Sequence, residues 1–158
     1  MSKLQELERH LAQLPSAHPG RRAAVVSAMQ ALQAERGYLD DAAVAEVARL
    51  TGLSTTEVEE LATFYSLIYR RPVGRHVLLI CDSLCCAMNG GEQLLTTAEQ
   101  MSGAPLGEIS PDGAVSILPS ICLGLCDRAP AALVDGEALG PLDESALAAL
   151  LRRLRGED

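Results

Sequence analysis

Two short cysteine clusters, Cys81-x4-Cys86 and Cys122-x3-Cys126, constrain this chain more than any other feature. Paired thiols on two loops, separated by a long intervening segment, are what a four-thiolate metal site needs, and they oblige the fold to bring both loops together. The spacing favours a 2Fe-2S centre, because an x4 first pair also occurs in plant-type ferredoxins. It leaves a structural zinc site open, since four-cysteine zinc sites accept roughly two to four residues between paired ligands. A dithiol enzyme is the weaker reading, as the chain has no Cys-x-x-Cys. Cys85 adjoins Cys86, and spacing alone does not decide which of the two completes the set, because Cys81-x3-Cys85 mirrors Cys122-x3-Cys126.

Composition sets the surroundings. With 158 residues, 48% of them apolar and 22% charged, the chain is expected to bury a core as one domain or two small ones. The opening MSKLQELERH is charged and lacks the apolar centre of a secretory signal, and no uncharged run approaches the roughly 20 residues of a membrane span. The chain is therefore expected in the cytoplasm, or in an organelle after removal of a leader, and in such a reducing compartment cysteine pairs serve as metal ligands or redox thiols more often than as disulfides; the odd total of five points the same way. Charge is uneven. Residues 1–74 carry eight Lys or Arg against nine Asp or Glu, and residues 75–158 carry five against twelve, so the cysteine half is the acidic half. Such a surface disfavours nucleic acid and suits either a basic protein partner or plain solubility.

Aromatic residues divide the chain at the same place: Tyr38, Phe64, Tyr65 and Tyr69 all precede Arg70-Arg71-Pro72-Val73-Gly74, which reads as a linker. The resulting division is 1–74, a helical bundle and linker, and 75–158, the cysteine domain. In the first part Leu4, Leu7, Leu11 and Leu14 recur at helical spacing until Pro15, and Val25, Val26, Met29 and Leu32 do so until Gly37. Asp40 or Asp41 caps a third helix with Val44, Val47 and Leu50 inward, ending at Gly52. Ser54-x-x-Glu57 is a capping box that opens a fourth, with Val58, Leu61 and Tyr65 inward. Phe64 and Tyr65 are expected in the core, His10 and His18 on the surface, and no residue here has a catalytic pattern.

The second part changes period. His76-Val77-Leu78-Leu79-Ile80 is a nearly continuous apolar run that suits a buried strand and delivers Cys81 at its end. After Asn89-Gly90-Gly91, the residues Leu94, Leu95, Ala98 and Met101 form a helical stripe. Val115–Leu118 reads as a strand leading to Cys122, Ala132–Val134 as another that turns at Asp135-Gly136, and Asp143 caps a last helix carrying Leu147, Leu150, Leu151 and Leu154. The order β-α-β-β-α describes a small α+β or thioredoxin-like layer. Both cysteine clusters then lie in loops at strand ends, where free amides can bond sulfur, Gly90, Gly91 and Gly124 allow close approach, and Leu123 and Leu125 can shade the thiols. Asp82, Asp127, Arg75 and Arg128 are expected as solvated charges. His76 is expected as a structural residue rather than a ligand, and no pair of histidines suits a Rieske centre.

The runs Cys81-Asp-Ser-Leu-Cys-Cys86-Ala-Met-Asn-Gly and Leu118-Pro-Ser-Ile-Cys122-Leu-Gly-Leu-Cys126-Asp-Arg-Ala-Pro130 closely resemble the E-subunit family of bacterial NADH:quinone oxidoreductase, respiratory complex I. The resemblance extends through Gly37-Tyr38-Leu39, Val58-x5-Phe64-Tyr65 and Pro72-x-Gly74, and so covers nearly the whole chain. It implies an α+β architecture in which an N-terminal helical bundle precedes a thioredoxin-like 2Fe-2S ferredoxin domain. Carried over position by position, it makes Cys81, Cys86, Cys122 and Cys126 the ligands of one 2Fe-2S cluster. Cys85 falls where the family needs no cysteine. Pro130 takes the place of the proline that often precedes the strand beside the active loop of thioredoxin-like folds, and a cis bond there is expected.

The same resemblance implies a function. The chain would be an electron-transfer subunit whose cluster exchanges single electrons with FMN on a partner flavoprotein, the F-type subunit of complex I that also binds NADH. It would have no independent active site and no membrane insertion, and would lie within the larger peripheral arm on the cytoplasmic side of the bacterial inner membrane. Equivalent subunits serve NAD-linked hydrogenases and formate dehydrogenases, and a structural four-cysteine zinc module is the remaining alternative.

Overall fold

The computed structural model describes residues 2–15 and 18–157. The chain divides into two compact units, Met1–Pro72 and Val73–Asp158. The first is helical: α1 (Lys3–Ala12), α2 (Pro19–Ala23), α3 (Val25–Arg36), α4 (Asp41–Thr51) and α5 (Thr55–Phe64). Local chemistry sets their ends. Ser2 and Gln5 form a capping box on α1, as Ser54 and Glu57 do on α5, and Asp40 Oδ1 accepts from the Ala43 amide at 2.7 Å to cap α4. Gly52 ends α4 in the left-handed conformation. Leu4, Leu11, Met29, Leu32, Val44, Val47, Leu50 and Val58 meet in one core with Leu39 and Ile68.

One arginine fastens three parts of this bundle. Arg21 on α2 donates from Nη2 to the Leu11 carbonyl (2.7 Å), from Nη1 to the Leu50 carbonyl (3.2 Å) and from Nε to the Leu14 carbonyl (3.3 Å). It thereby supplies a cation and donors to the C-terminal ends of α1 and α4, where helix carbonyls lack intrahelical partners. Apolar periodicity carries no sign of α2, because a five-residue turn of Pro-Gly-Arg-Arg-Ala has no apolar face. His18 is exposed, as expected, but its Nδ1 also accepts from the Gly20 amide at 3.0 Å and caps α2. His10 is exposed as well.

Phe64 and Tyr65, expected in the core, lie outside it. Phe64 is 78% exposed and Tyr65 39%. Helix α5 stops at Phe64, Tyr65 takes an extended conformation (φ −84°, ψ 112°), and Ile68 fills the buried place. The following loop is tied down: the Tyr69 amide donates to Gln33 Oε1 (2.7 Å), Gln33 Nε2 donates to the Leu67 carbonyl (2.8 Å) and the Leu39 amide to the Tyr69 carbonyl (2.8 Å). Arg70 bonds Glu59 Oε2 (2.9 Å), Asp41 Oδ1 (2.8 Å) and the Leu39 carbonyl, and the Glu59 carboxylate leads in raising its pKa.

The second unit contains β1 (His76–Cys81), α6 (Leu84–Met88), α7 (Gly91–Ser102), β2 (Val115–Ser120), β3 (Ala132–Val134), β4 (Glu137–Leu139) and α8 (Glu144–Arg155). The sheet order is β2-β1-β3-β4, with β1 and β2 parallel and the β1–β3 and β3–β4 pairs antiparallel. Val77, Leu78, Leu79, Ile80 and Cys81 are all buried, as a near-continuous apolar run demands of a central strand. Leu94, Leu95 and Ala98 of α7 and Leu147, Leu150, Leu151 and Leu154 of α8 pack with Leu78, Ile80, Val115, Ile117 and Val134. The break between the units falls after Pro72, two residues before the boundary expected from composition, since the Gly74 amide donates to the buried Ser116 Oγ (3.0 Å) in the second unit. A Cβ on Gly74 would stand 2.7 Å from the Val115 carbonyl carbon, which explains the glycine. Short α6 and the polar edge strand β4 have no periodic signature to announce them, and Met101, expected inward, is 36% exposed.

Arg21→Ala removes the three carbonyl bonds together and is expected to destabilise the helical unit by about 2 kcal/mol, measured by urea unfolding followed by circular dichroism. A loss below roughly 0.5 kcal/mol would contradict the fastening role.

Candidate metal centre

Parallel pairing of β1 with β2 brings the two cysteine loops to one edge. The register ends at Cys81 opposite Ser120, and the Asp82 amide donates to the Ser120 carbonyl at 2.9 Å, so each strand hands its cysteine loop over at the same level. The Cys81 amide donates to the Ala131 carbonyl (3.0 Å), which joins the loop after the second cluster to the end of β1. The Ala129–Pro130 bond ahead of β3 is cis, as is Gly140–Pro141.

The first loop separates its three thiols. Ser83 takes the N-cap position of α6, and the single turn that follows places Cys86 inward, 2% exposed, while Leu84, Cys85 and Met88 face outward. The Asn89 side-chain amide closes the turn on the Cys85 carbonyl (2.7 Å). Gly91, the first residue of α7, packs against this turn. A Cβ there would lie 2.8 Å from the Cys86 carbonyl oxygen and 3.2 Å from that of Cys81. In the second loop Gly124 turns the chain with φ +77°, and a 3-10 turn covers Cys126–Arg128. Cys122 and Cys126 are exposed, with their sulfurs 3.9 Å apart, and the Gly124 amide donates to Cys122 Sγ at 3.4 Å.

The thiols form two pairs. Buried Cys81 and Cys86 interact directly and pack with Ala131, Leu123, Leu125 and Ala129. Burial pushes Cys81 upward, but the Ser83 amide, the Cys86 thiol and the Leu123 amide outweigh it and hold the thiol below its usual value. Burial raises Cys86, with the Ala131 amide opposing and the Cys81 and Cys122 charges adding. Hydrogen bonding to Cys122 first, then to Cys85, pushes Cys126 up to about 11. Leu123 and Leu125 of the second loop pack against Cys81 and Cys86 of the first, so the two loops converge.

Among the described residues, no three His, Cys, Asp or Glu side chains are gathered to hold a single ion. The 3.9 Å between Cys122 and Cys126 is close to the roughly 3.8 Å expected of two thiolates on one tetrahedral metal with bonds of about 2.3 Å. With Cys81 and Cys86 packed against Leu123 and Leu125 of the second loop, and the Gly124 amide bonded to sulfur, the residues fit an iron-sulfur centre held by cysteines of both loops.

Other polar residues stand apart. Asp82 and Asp127 are exposed, and Asp127 faces Arg128 Nε at 3.6 Å. Arg75 is exposed, and His76 Nδ1 lies 2.6 Å from Asp135 Oδ2, a structural contact across the sheet. The amides of Ser83, Leu123 and Ala131 were not legible in the sequence, because backbone donors leave no side-chain signature. Nor was the exposure of Leu84, Met88 and Ile121 around the thiols.

Known proteins resemble this chain. The chain matches the family model "Thioredoxin-like [2Fe-2S] ferredoxin" over residues 11–155. It is 40% identical over 141 residues to the second E-type subunit of the NADH-quinone oxidoreductase of Rhizobium meliloti, covering 89% of this chain and 84% of that protein. The E-type subunit of the same oxidoreductase from Pseudomonas aeruginosa is 38% identical over 130 residues, covering 82% and 78%. The structure of an NAD+-reducing [NiFe]-hydrogenase in the H2-reduced state superimposes with a TM-score of 0.70 at 26% identity; the match covers 89% of this chain but spans only 23% of the hydrogenase chain.

Gly91→Ala is expected to push Cys86 out of place, lowering stability by roughly 1–3 kcal/mol and opening Cys86 of the metal-free chain to maleimide. Glu92→Ala, at the exposed next position of α7, should leave Cys86 protected. Mass spectrometry of labelled peptides reads the difference, and equal protection in both variants would contradict the packing role of Gly91.

Proposed function

Because the chain belongs to the thioredoxin-like [2Fe-2S] ferredoxin family, with E-type subunits of NADH-quinone oxidoreductases among its relatives, we propose that it is the electron-transfer subunit of such an oxidoreductase. Cys81, Cys86, Cys122 and Cys126 would hold one 2Fe-2S cluster. The observation that carries this reading is the convergence of two thiol pairs, one buried and one open, at the ends of adjacent parallel strands. When bound, such a cluster takes and returns one electron at a time, which suits exchange with a two-electron flavin.

The chain's own residues prepare the site. All four thiols must lose their protons to bind, and the Ser83, Leu123 and Gly124 amides compensate sulfur charge at Cys81 and Cys122. Leu123 and Leu125, half-buried against Cys81 and Cys86, keep water from the inner pair. Asp82 and Asp127 add negative charge near the ligands and so oppose uptake of an electron, with Arg128 partly offsetting Asp127. Cys85 stays outside the ligand set, its side chain turned outward while Cys86 meets Cys81.

The electron partner would be the FMN- and NADH-binding flavoprotein subunit, within a peripheral arm on the cytoplasmic side of the inner membrane. Among the described residues, no helix is long and apolar enough to cross a membrane. The hydrogenase structures favour a second reading, the equivalent part of an NAD-linked hydrogenase. Identity of 37–40% to the leading E-type subunits, against 25–26% to the hydrogenase chain, supports the oxidoreductase of the quinone type.

Single Cys→Ser variants of Cys81, Cys86, Cys122 and Cys126 are expected to lose iron and acid-labile sulfide after anaerobic purification, whereas Cys85→Ala keeps both and its visible spectrum. Retention by Cys86→Ser together with loss in Cys85→Ala would reassign the fourth ligand.

A further inference from the structure

The loop Cys122-Leu123-Gly124-Leu125-Cys126 alternates in exposure: Leu123 and Leu125 are half-buried against Cys81 and Cys86, and Cys122, Gly124 and Cys126 are exposed. The alternation leaves both sulfurs on the outer side of one five-residue loop, 3.9 Å apart. A disulfide bond is about 2.05 Å long, so each sulfur has to move only about 1 Å to reach the other, a distance that a turn about one Cα–Cβ bond covers. The loop can adjust, because Gly124 takes φ +77° with nothing within 4 Å of where a Cβ would stand. The inner pair differs in the respect that decides its chemistry: Cys81 is 3% exposed and Cys86 2%, so a dissolved oxidant meets the outer pair first. Cys85 is exposed as well and competes for Cys126, but Cys122 shares the loop and leads over Cys85 among the bonds to Cys126.

We propose that Cys122 and Cys126 are a redox modification site: before a cluster is inserted, a hydroperoxide closes them into a disulfide that blocks insertion until a dithiol reductant reopens it. This goes beyond the function proposed above and rests on its ligand set. One thiolate of the pair attacks the peroxide; an S–O bond forms, the O–O bond breaks, and the hydroxide that leaves takes up the thiol proton as water. The second thiol then attacks the sulfenic sulfur, so that the S–S bond forms, the S–O bond breaks and a second water leaves with the remaining proton. The two sulfurs have lost two electrons and the peroxide has gained two. A sulfenic acid left alone is open to further oxidation to sulfinic acid, which thiols do not reverse. A second thiol 3.9 Å away diverts it into a disulfide, which they do. Sulfurs joined in a disulfide have no thiolate to offer a metal, so both outer ligands are withdrawn together. Once iron holds these sulfurs the pair is no longer free to close, and the switch acts on the unloaded chain.

The experiment treats the reduced, metal-free, full-length chain with hydrogen peroxide, caps the remaining thiols with iodoacetamide after unfolding, and digests the product with a protease that cuts before aspartate. Cuts before Asp41, Asp82, Asp112 and Asp127 sort the thiols into three peptides: one ending at Cys81, one holding Cys85 and Cys86, and one, 112–126, holding Cys122 and Cys126. Peptide 112–126 is expected to lose two hydrogens and both free thiols at least about tenfold faster than Cys81 and Cys86 lose theirs, and to regain them with dithiothreitol. The oxidised chain is expected to take up iron and sulfide only after that reduction. A disulfide joining 112–126 to the Cys85 peptide, sulfinic acid in place of a disulfide, oxidation of the inner pair at the same rate, or equal uptake by the oxidised and reduced chains would each overturn the proposal. A reduced chain that closes and reopens this disulfide yet gains no iron and sulfide would instead overturn the ligand set of the function proposed above, and the blocking role of the disulfide with it.

Discussion

The pairing of β1 with β2 in parallel, from His76 opposite Val115 to Cys81 opposite Ser120, is the constraint on which the cysteine unit depends. Parallel neighbours end on the same edge, so two loops remote in sequence emerge side by side without a dedicated connection between them. A one-residue slip in this pairing would move Cys81 off the level of Ser120 and break the bond from the Asp82 amide to the Ser120 carbonyl that ends the ladder. The crossover through α7 meets the same requirement, because Gly91 lets the helix start against the Cys81 and Cys86 carbonyls.

From that placement follows a division of labour among the thiols. Cys81 and Cys86 are sunk against Ala131, Leu123 and Leu125, while Cys122 and Cys126 face outward. A group held between them would have one insulated side and one side open to a partner, which suits exchange of electrons across an interface better than a purely structural tie. Exposed Asp82 and Asp127, each next to a cysteine in sequence, add negative charge at the loops.

Much of this was legible from the residues. Strand β1 announced itself as an unbroken apolar run, α4 and α5 through Asp40 and the Ser54–Glu57 box, and α8 through its leucine stripe behind Asp143. Elements too short to show a period were not: α2, α6 and β4 exist because of tertiary contacts rather than local pattern. Phe64 and Tyr65 misled for a related reason, since the inward spacing from Leu61 holds only while the helix continues, and α5 ends at Phe64. At the site, the cysteines were visible as a set, but which of Cys85 and Cys86 turns inward was left open by spacing. The answer lies in the single turn of α6, which the Asn89 side chain closes on the Cys85 carbonyl and which packs against Gly91.

Possession of a binuclear iron-sulfur cluster on four thiolates of this chain is tested most directly by anaerobic purification, assay of iron, acid-labile sulfide and zinc, and an EPR spectrum after dithionite reduction. Iron and sulfide in equal amounts, two of each per chain, and a spin-half signal on reduction are the predicted result. Zinc without sulfide, and no cluster after attempted reconstitution, would contradict it and leave a structural metal module.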